Sequence, residues 1–200
     1  MKVKNWVFAS LIGMMLMSSC SENISNKGDA LFSQKQYEEA VAEYDRVLKN
    51  NPKYFKGLYN RGRAYEELGE FKKAEKDFLA AFAIDSKNTQ VMMSLSNIYQ
   101  KQKNHNSALL YADYAVQVPG APAMAYFLKG RALHQIGNTG EAMKEYSAAI
   151  QMDKNFGQAY YYRGMLKIAT DKKKSGCEDI KAALKLDFKE AQMALEKYCK

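Results

Sequence analysis

Two histidines, three cysteines, three prolines and one tryptophan in 200 residues leave little material for several kinds of chemistry. His105 and His134 lie far apart, and neither has a cysteine or carboxylate at ligand spacing such as H-E-x-x-H. No glycine-rich phosphate loop and no serine elbow occurs. The carboxylate pairs Glu38-Glu39 and Glu66-Glu67 are adjacent in sequence, so on a helix their members point to different faces and read as solvated charge. An enzyme is therefore not expected, and neither a cofactor nor a metal is implied. The scarcity of proline and of β-branched runs favours helix. With 47% hydrophobic and 26% charged residues, the composition is that of a globular chain. The net charge of +8 is spread out, and Lys172–Lys174 is its single run. That run reads as a solvated turn, with a phosphate or lipid-headgroup contact as the alternative.

What the chain does have is a pattern. Over Leu58–Asp85, the spacing of Leu58, Gly62 and Tyr65 marks one face of a helix. Gly69 ends that helix at a position where a left-handed residue is wanted. Phe71, Ala74, Phe78, Ala81 and Phe82 then mark the buried face of a second helix. Gly62 and Ala74 are small where the two helices must cross closely. The pattern returns every 34 residues. One column holds Gly28, Gly62, Ser96, Gly130 and Gly164; a second holds Ala40, Ala74, Ala108, Ala142 and Gly176. A third holds Tyr44, Phe78, Ala112, Tyr146 and Ile180, and a fourth Val47, Ala81, Ala115, Ala149 and Ala183.

Period and columns resemble the tetratricopeptide repeat, whose scheme is W-x2-L-G-x2-Y, then A-x3-F, then P. No repeat here has the opening Trp, and the closing Pro appears once, as Pro52. The resemblance implies an all-α fold, a right-handed superhelical solenoid of five helix-turn-helix repeats at about 26–52, 55–86, 89–120, 123–154 and 157–188. Repeat three is the least regular, with Ser96 in the glycine column and Ala112 in the aromatic one. Asp113 is the only acid between Ser86 and Gly140, so this middle region is locally basic. Pro122 suits the first turn of the next helix. Ser175-x-x-Glu178 reads as a capping box opening the last second helix. Residues 189–200 read as a capping helix, with Ala191, Ala194, Leu195 and Tyr198 covering the exposed edge of repeat five.

Residues 1–19 read as a targeting segment: Lys2 and Lys4, then an apolar run from Trp6 to Met17 too short to span a bilayer comfortably. The run ends Met17-Ser18-Ser19-Cys20, which resembles the bacterial lipobox L-[AS]-[GAS]-C with Met for Leu. That resemblance implies cleavage before Cys20, a diacylglyceryl group on its sulfur and a further acyl chain on its amine. Two or more chains hold a protein stably on a membrane, where one does so only marginally. The alternative is an ordinary secretory signal in which Cys20 is incidental. Ser21 does not resemble the Asp that retains many such lipoproteins in the inner membrane, which points to the outer membrane. Residues 20–25 would be a short lipidated tether. Cys177 and Cys199 remain, an even pair in an exported protein. At ~1.5 Å per residue both sit roughly 14–15 Å from the bend between the last two helices, at one height on antiparallel neighbours. A disulfide would staple the capping helix to repeat five. Two free buried thiols, or a reactive Cys177 at a helix N-terminus, are the other readings.

In this family the first helices of the repeats line a concave groove. Carried over by position, the fifth place gives Tyr59, Met93, Phe127 and Tyr161, and the ninth Asp29, Arg63, Asn97, Arg131 and Met165. The sixth adds Asn60 and Tyr162, and the second Lys56 and Gln158. Aromatic and Met surface flanked by Arg and Asn suits a peptide, since rings supply area while Asn and Arg bind main chain and acidic groups. The competing reading is that part of the stripe, Met93 and Phe127 above all, packs between neighbouring first helices. Some family members clamp a C-terminal carboxylate with Lys and Asn at the fifth, sixth and ninth places, but Tyr59 and Met93 stand where Lys would be. The expectation is a lipid-anchored, non-catalytic scaffold of a bacterial envelope that binds a protein or peptide segment. A carbohydrate- or peptidoglycan-binding subunit, with Tyr59 and Tyr161 stacking on sugar rings, is the alternative. The export signal argues against nucleic acid despite the basic charge.

Overall fold

The computed structural model describes residues 26–200. The expected targeting segment 1–19, Cys20 and the expected tether 20–25 lie outside the described residues. Among the described residues the structure is helical, with no strand. The helices are α1 (26–33), α2 (Tyr37–Asn50), α3 (Phe55–Glu67), α4 (Phe71–Ile84), α5 (Thr89–Lys101), α6 (His105–Gln117), α7 (Ala123–Gln135), α8 (Thr139–Met152), α9 (Gly157–Ala169), α10 (Lys173–Lys185) and α11 (Glu190–Tyr198). They form five antiparallel pairs followed by α11. The chain divides into two compact units, one ending at Ser86 with α1–α4 and one starting at Lys87 with α5–α11. Among the described residues no helix is long and apolar enough to cross a membrane.

The four periodic columns form the core. Ala40, Ala74, Ala108 and Ala142 are fully buried, as are Tyr44, Phe78, Ala112, Tyr146 and Ile180 in the third column and Val47, Ala81, Ala115, Ala149 and Ala183 in the fourth. The glycine column exists because the aromatic column faces it. A Cβ built on Gly28, Gly62 or Gly130 would lie 2.6, 2.7 and 2.7 Å from the rings of Tyr44, Phe78 and Tyr146 respectively. Repeat three solves the same problem differently. Ala112 vacates the space, Ser96 fills part of it, and the Ser96 hydroxyl donates to the Ala108 carbonyl at 2.9 Å. In repeat five the backbones themselves close up: a Cβ on Gly164 would meet the Gly176 carbonyl at 2.9 Å, and one on Gly176 the Gly164 carbonyl at 2.7 Å.

Each first helix ends in the same turn. Lys35, Gly69, Lys103, Gly137 and Asp171, one per repeat, all have positive φ. The next residue's N–H then reaches back five residues, as in Gln36 to Leu31, Glu70 to Tyr65, Asn104 to Tyr99, Asn138 to Leu133 and Lys172 to Lys167, at 2.9–3.0 Å. This is the hydrogen bond of a Schellman motif. It sets where each second helix begins, and Asn104 and Asn138 cap two of them through their side chains.

The same register corrects two expectations. α10 starts at Lys173 and its N-cap is Lys172. Ser175 is therefore inside the first turn, where its hydroxyl donates to the Lys172 carbonyl at 3.2 Å, and Ser175–Glu178 is no capping box. Pro122 stands at the N-cap of α7 rather than within its first turn. At the C-terminus Ile180, Ala183, Ala191 and Ala194 form a buried cluster, with Phe188, Leu195 and Tyr198 packed against it. Cys177 of α10 is disulfide-bonded to Cys199, just beyond α11, with Cα atoms 5.6 Å apart.

Candidate functional site

In the first unit α1 and α3 bring Asp29, Lys56, Tyr59, Asn60 and Arg63 together. Asp29 is the hub. Its Oδ1 accepts from the Tyr44 hydroxyl and from the Asn60 amide, each at 2.7 Å, and its Oδ2 pairs with Lys56 Nζ at 2.7 Å. Burial and this bond to a carboxylate hold the Tyr44 phenol well above its ordinary range. Lys56 and Asn60 are thus engaged within the chain. Tyr59 stacks on Phe55, with centroids 6.3 Å apart, and leans on Phe78. Arg63 is exposed and lays its guanidinium over Phe32, 4.5 Å from the ring centre.

In the second unit α5, α7 and α9 carry the rest. Phe127 is 1% exposed and Met93 9%, so both belong to the core rather than to a ligand-facing stripe. Their packing explains it: Phe127 sits against Tyr146, Phe156 and Tyr162 with centroids 5.0–5.8 Å away. Asn97 is half-buried on α5. Tyr161 and Tyr162 are half-buried and meet edge to face at 5.5 Å, and Tyr161 also packs on Phe188. Arg131 lies over Phe127 and Tyr162, 5.8 and 6.0 Å from their centres.

Arg63 and Arg131 differ from the other three arginines. Arg46, Arg61 and Arg163 each bind a carboxylate. Neither Arg63 nor Arg131 has a carboxylate within ion-pair reach among the described residues; each uses aromatic faces instead. The paired set includes a ladder that sequence reasoning missed. Lys27–Glu43, Arg61–Asp77, Lys129–Glu145 and Arg163–Asp179 join first and second helices of repeats one, two, four and five. Arg61 and Lys129 also reach back to Asp45 and Asp113 of the preceding second helix. Leu95 and Tyr111 stand at the matching places of repeat three. The signal was available as a cation and an anion sixteen residues apart, recurring with the repeat period. These charges are spent on the fold.

One cleft of about 480 Å³ opens in the second unit beside Leu109, Leu110 and Leu133. It contains none of the groove residues, and the lysine in its wall, Lys129, is held by Asp113 and Glu145. Among the described residues no cluster of three potential metal ligands occurs.

Comparison with known proteins agrees with this architecture. Residues 28–69 match a TPR repeat family, and residues 55–88 and 123–156 match the tetratricopeptide repeat family. Among curated proteins the human Protein O-mannosyl-transferase TMTC1 is 26% identical over 148 residues, which is 72% of this chain but 17% of that protein. Among solved structures, MamA superposes with a TM-score of 0.74 at 21% identity, covering 82% of this chain and 96% of MamA. YrrB, described as a TPR protein with an unusual peptide-binding site, superposes with a TM-score of 0.72 at 22% identity, covering 90% and 97%. At these identities the likeness is one of fold. The chain carries tetratricopeptide repeats, and its fold is that of tetratricopeptide repeat proteins.

Proposed function

We propose that this chain is a non-catalytic scaffold that binds a protein or peptide segment through the first-helix faces of its repeats, held at a bacterial envelope membrane by lipid on Cys20. The binding part rests on one observation above the rest: Arg63 and Arg131 sit on aromatic platforms without a carboxylate partner among the described residues, while the arginines of the ladder are paired. A guanidinium fixed over a ring keeps its outward donors free and loses little rotamer freedom on meeting a ligand. The anchor rests on Met17-Ser18-Ser19-Cys20 behind an apolar run, and Ser21 makes the outer membrane the favoured address. The sugar-binding alternative gains nothing from the site, because Tyr59 and Tyr161 already commit ring surface to Phe55 and Phe188.

Two measurements test it. Full-length protein grown with labelled fatty acid should carry the label and sediment with membranes, and Cys20→Ser should lose both. Unlabelled wild-type protein in the soluble fraction overturns the address. Partner protein crosslinked to the wild-type chain should fall at least about tenfold with Arg63→Glu plus Arg131→Glu, as expected for charged hot spots. Unchanged recovery overturns the assignment of the binding face.

A further inference from the structure

Repeat four repeats the polar cluster of repeat one with its charge reversed. Tyr44, Asp29 and Asn60 of the first unit correspond, three repeat periods on, to Tyr146, Arg131 and Tyr162 of the second. In the first cluster the Asp29 carboxylate accepts from both neighbours at 2.7 Å. In the second, the position of that carboxylate belongs to a cation. Tyr146 is fully buried, and its hydroxyl has no hydrogen-bond partner among the described residues. Among the described residues Arg131 has no carboxylate within reach, and it lies half-exposed across Phe127 and Tyr162. Burial pushes the Tyr146 phenol above its ordinary range, and the Arg131 charge opposes that rise. The cluster therefore offers hydroxyl and guanidinium donors and lacks the acceptor that its counterpart carries within the chain. A buried donor without an acceptor is rare in native folds and calls for a missing partner.

We propose that the Arg131–Tyr146–Tyr162 cluster is a carboxylate-binding site, filled by an acidic group of the partner segment. This rests on the scaffold function above and deepens it. A carboxylate is the fitting occupant because it is what the same three backbone positions hold in repeat one. It accepts two donors at once, and it is the natural fork partner of a guanidinium. The Tyr146 hydroxyl has no open surface, so occupancy of this site requires the side chains over it to move aside. Neutral acceptors would satisfy the phenol but leave the arginine uncompensated.

The test uses three capped pentapeptides of one apolar sequence: a central Asp with an amidated end, a central Asn with an amidated end, and that Asn peptide with a free C-terminal carboxylate. Binding to the full chain is followed by NMR at the Arg131 Nε–H and the Tyr146 ring. At least one carboxylate peptide should bind about tenfold or more tighter than the neutral one, the scale of a charge-assisted hydrogen bond. Which one does so distinguishes a side-chain from a terminal source. Tyr146→Phe, which keeps the buried ring, should narrow that preference severalfold, and Arg131→Gln should abolish it. Arg63→Gln should leave it intact. Equal binding of all three peptides, an undiminished preference in Tyr146→Phe, or no response of these signals to either carboxylate peptide overturns the carboxylate site. Equal binding that still maps to this face leaves the scaffold standing, so the two failures are distinguishable.

Discussion

Removing one oxygen from each of two equivalent tyrosines should have opposite effects on stability. Tyr44 and Tyr146 occupy the same column, are 1% and 0% exposed, and each packs against a glycine of the crossing helix. Tyr→Phe leaves that packing in place at both sites, so ring burial cancels in the comparison. What differs is the hydroxyl. Tyr44 donates to the Asp29 carboxylate at 2.7 Å, and hydrogen bonds to charged groups contribute roughly 1.5–3 kcal/mol. Asp29 keeps Asn60 and Lys56 after the substitution, which places Tyr44→Phe near the lower end, a loss of about 1.5–2 kcal/mol. Tyr146 donates to nothing, and an unsatisfied buried group costs about 1–3 kcal/mol, so Tyr146→Phe should be neutral or stabilising by up to ~1 kcal/mol. Urea unfolding followed by far-UV circular dichroism resolves the difference, provided the m-values of the two variants match. A Tyr146→Phe chain destabilised as much as Tyr44→Phe would falsify the view that this phenol is unsatisfied, and would mean that a bound water already serves it.

Other expectations follow from the same packing and charges. Gly62→Ala gains about 1 kcal/mol of helix propensity but drives a Cβ to 2.7 Å from the immobile Phe78 ring, so it should be net destabilising by ~1 kcal/mol, whereas Gly140→Ala, with nothing within 4 Å, should not; thermal melts that rank them the other way refute the crossing argument. Asp77→Asn strips a two-bond fork from Arg61, whose side chain is 20% exposed against 3% for the carboxylate, and should cost about 3 kcal/mol by urea titration; a change under ~0.5 kcal/mol would make the ladder ornamental. Burial holds the His134 pKa below 6.5, so the unfolded chain binds the extra proton first. Stability is then full above pH 6.5, falls as pH drops through the folded value, and loses that slope in His134→Gln; an unchanged slope between pH 7 and 5 refutes the assignment. Cys177→Ser opens a bridge between residues 22 apart and should cost about 3 kcal/mol on loop entropy, with the loss of amide protection confined to α11 and the start of α10, where Cys177 sits.

The fold was legible because its determinants recur. A single Gly in a helix is ambiguous, but Gly28, Gly62, Gly130 and Gly164 at one spacing, each facing a large side chain from a second column, can mean only repeated close crossings. The left-handed turn after each first helix was legible at Gly69 but not at Lys35, Lys103 or Asp171, which take the same positive φ without the residue type that announces it. There the turn is imposed by the packing on either side and by the backbone bond that closes it. The candidate binding face was less legible for a physical reason. Position in the repeat tells which side of a helix a residue occupies, not whether a neighbouring helix already covers it. Phe127 and Arg131 lie one turn apart on α7, yet the first is core and the second lies over the first.

Departures from the repeat columns differ in whether the fold compensates for them. Repeat three replaces the charge pair with Leu95 and Tyr111 and the aromatic with Ala112, and each departure is compensated nearby: Leu95 is fully buried, and Ser96 fills the space that Ala112 leaves. The exchange of Asp29 for Arg131 is different in kind. It keeps the buried phenol that needs an acceptor and removes the acceptor, and no described residue supplies another. A change that destabilises the isolated fold without local compensation is the expected mark of a group that is satisfied only when something else binds. On that ground the second unit, around α7 and α9, is where the specificity of this chain should reside, while the saturated cluster around Asp29 serves chiefly to hold α1 against α3.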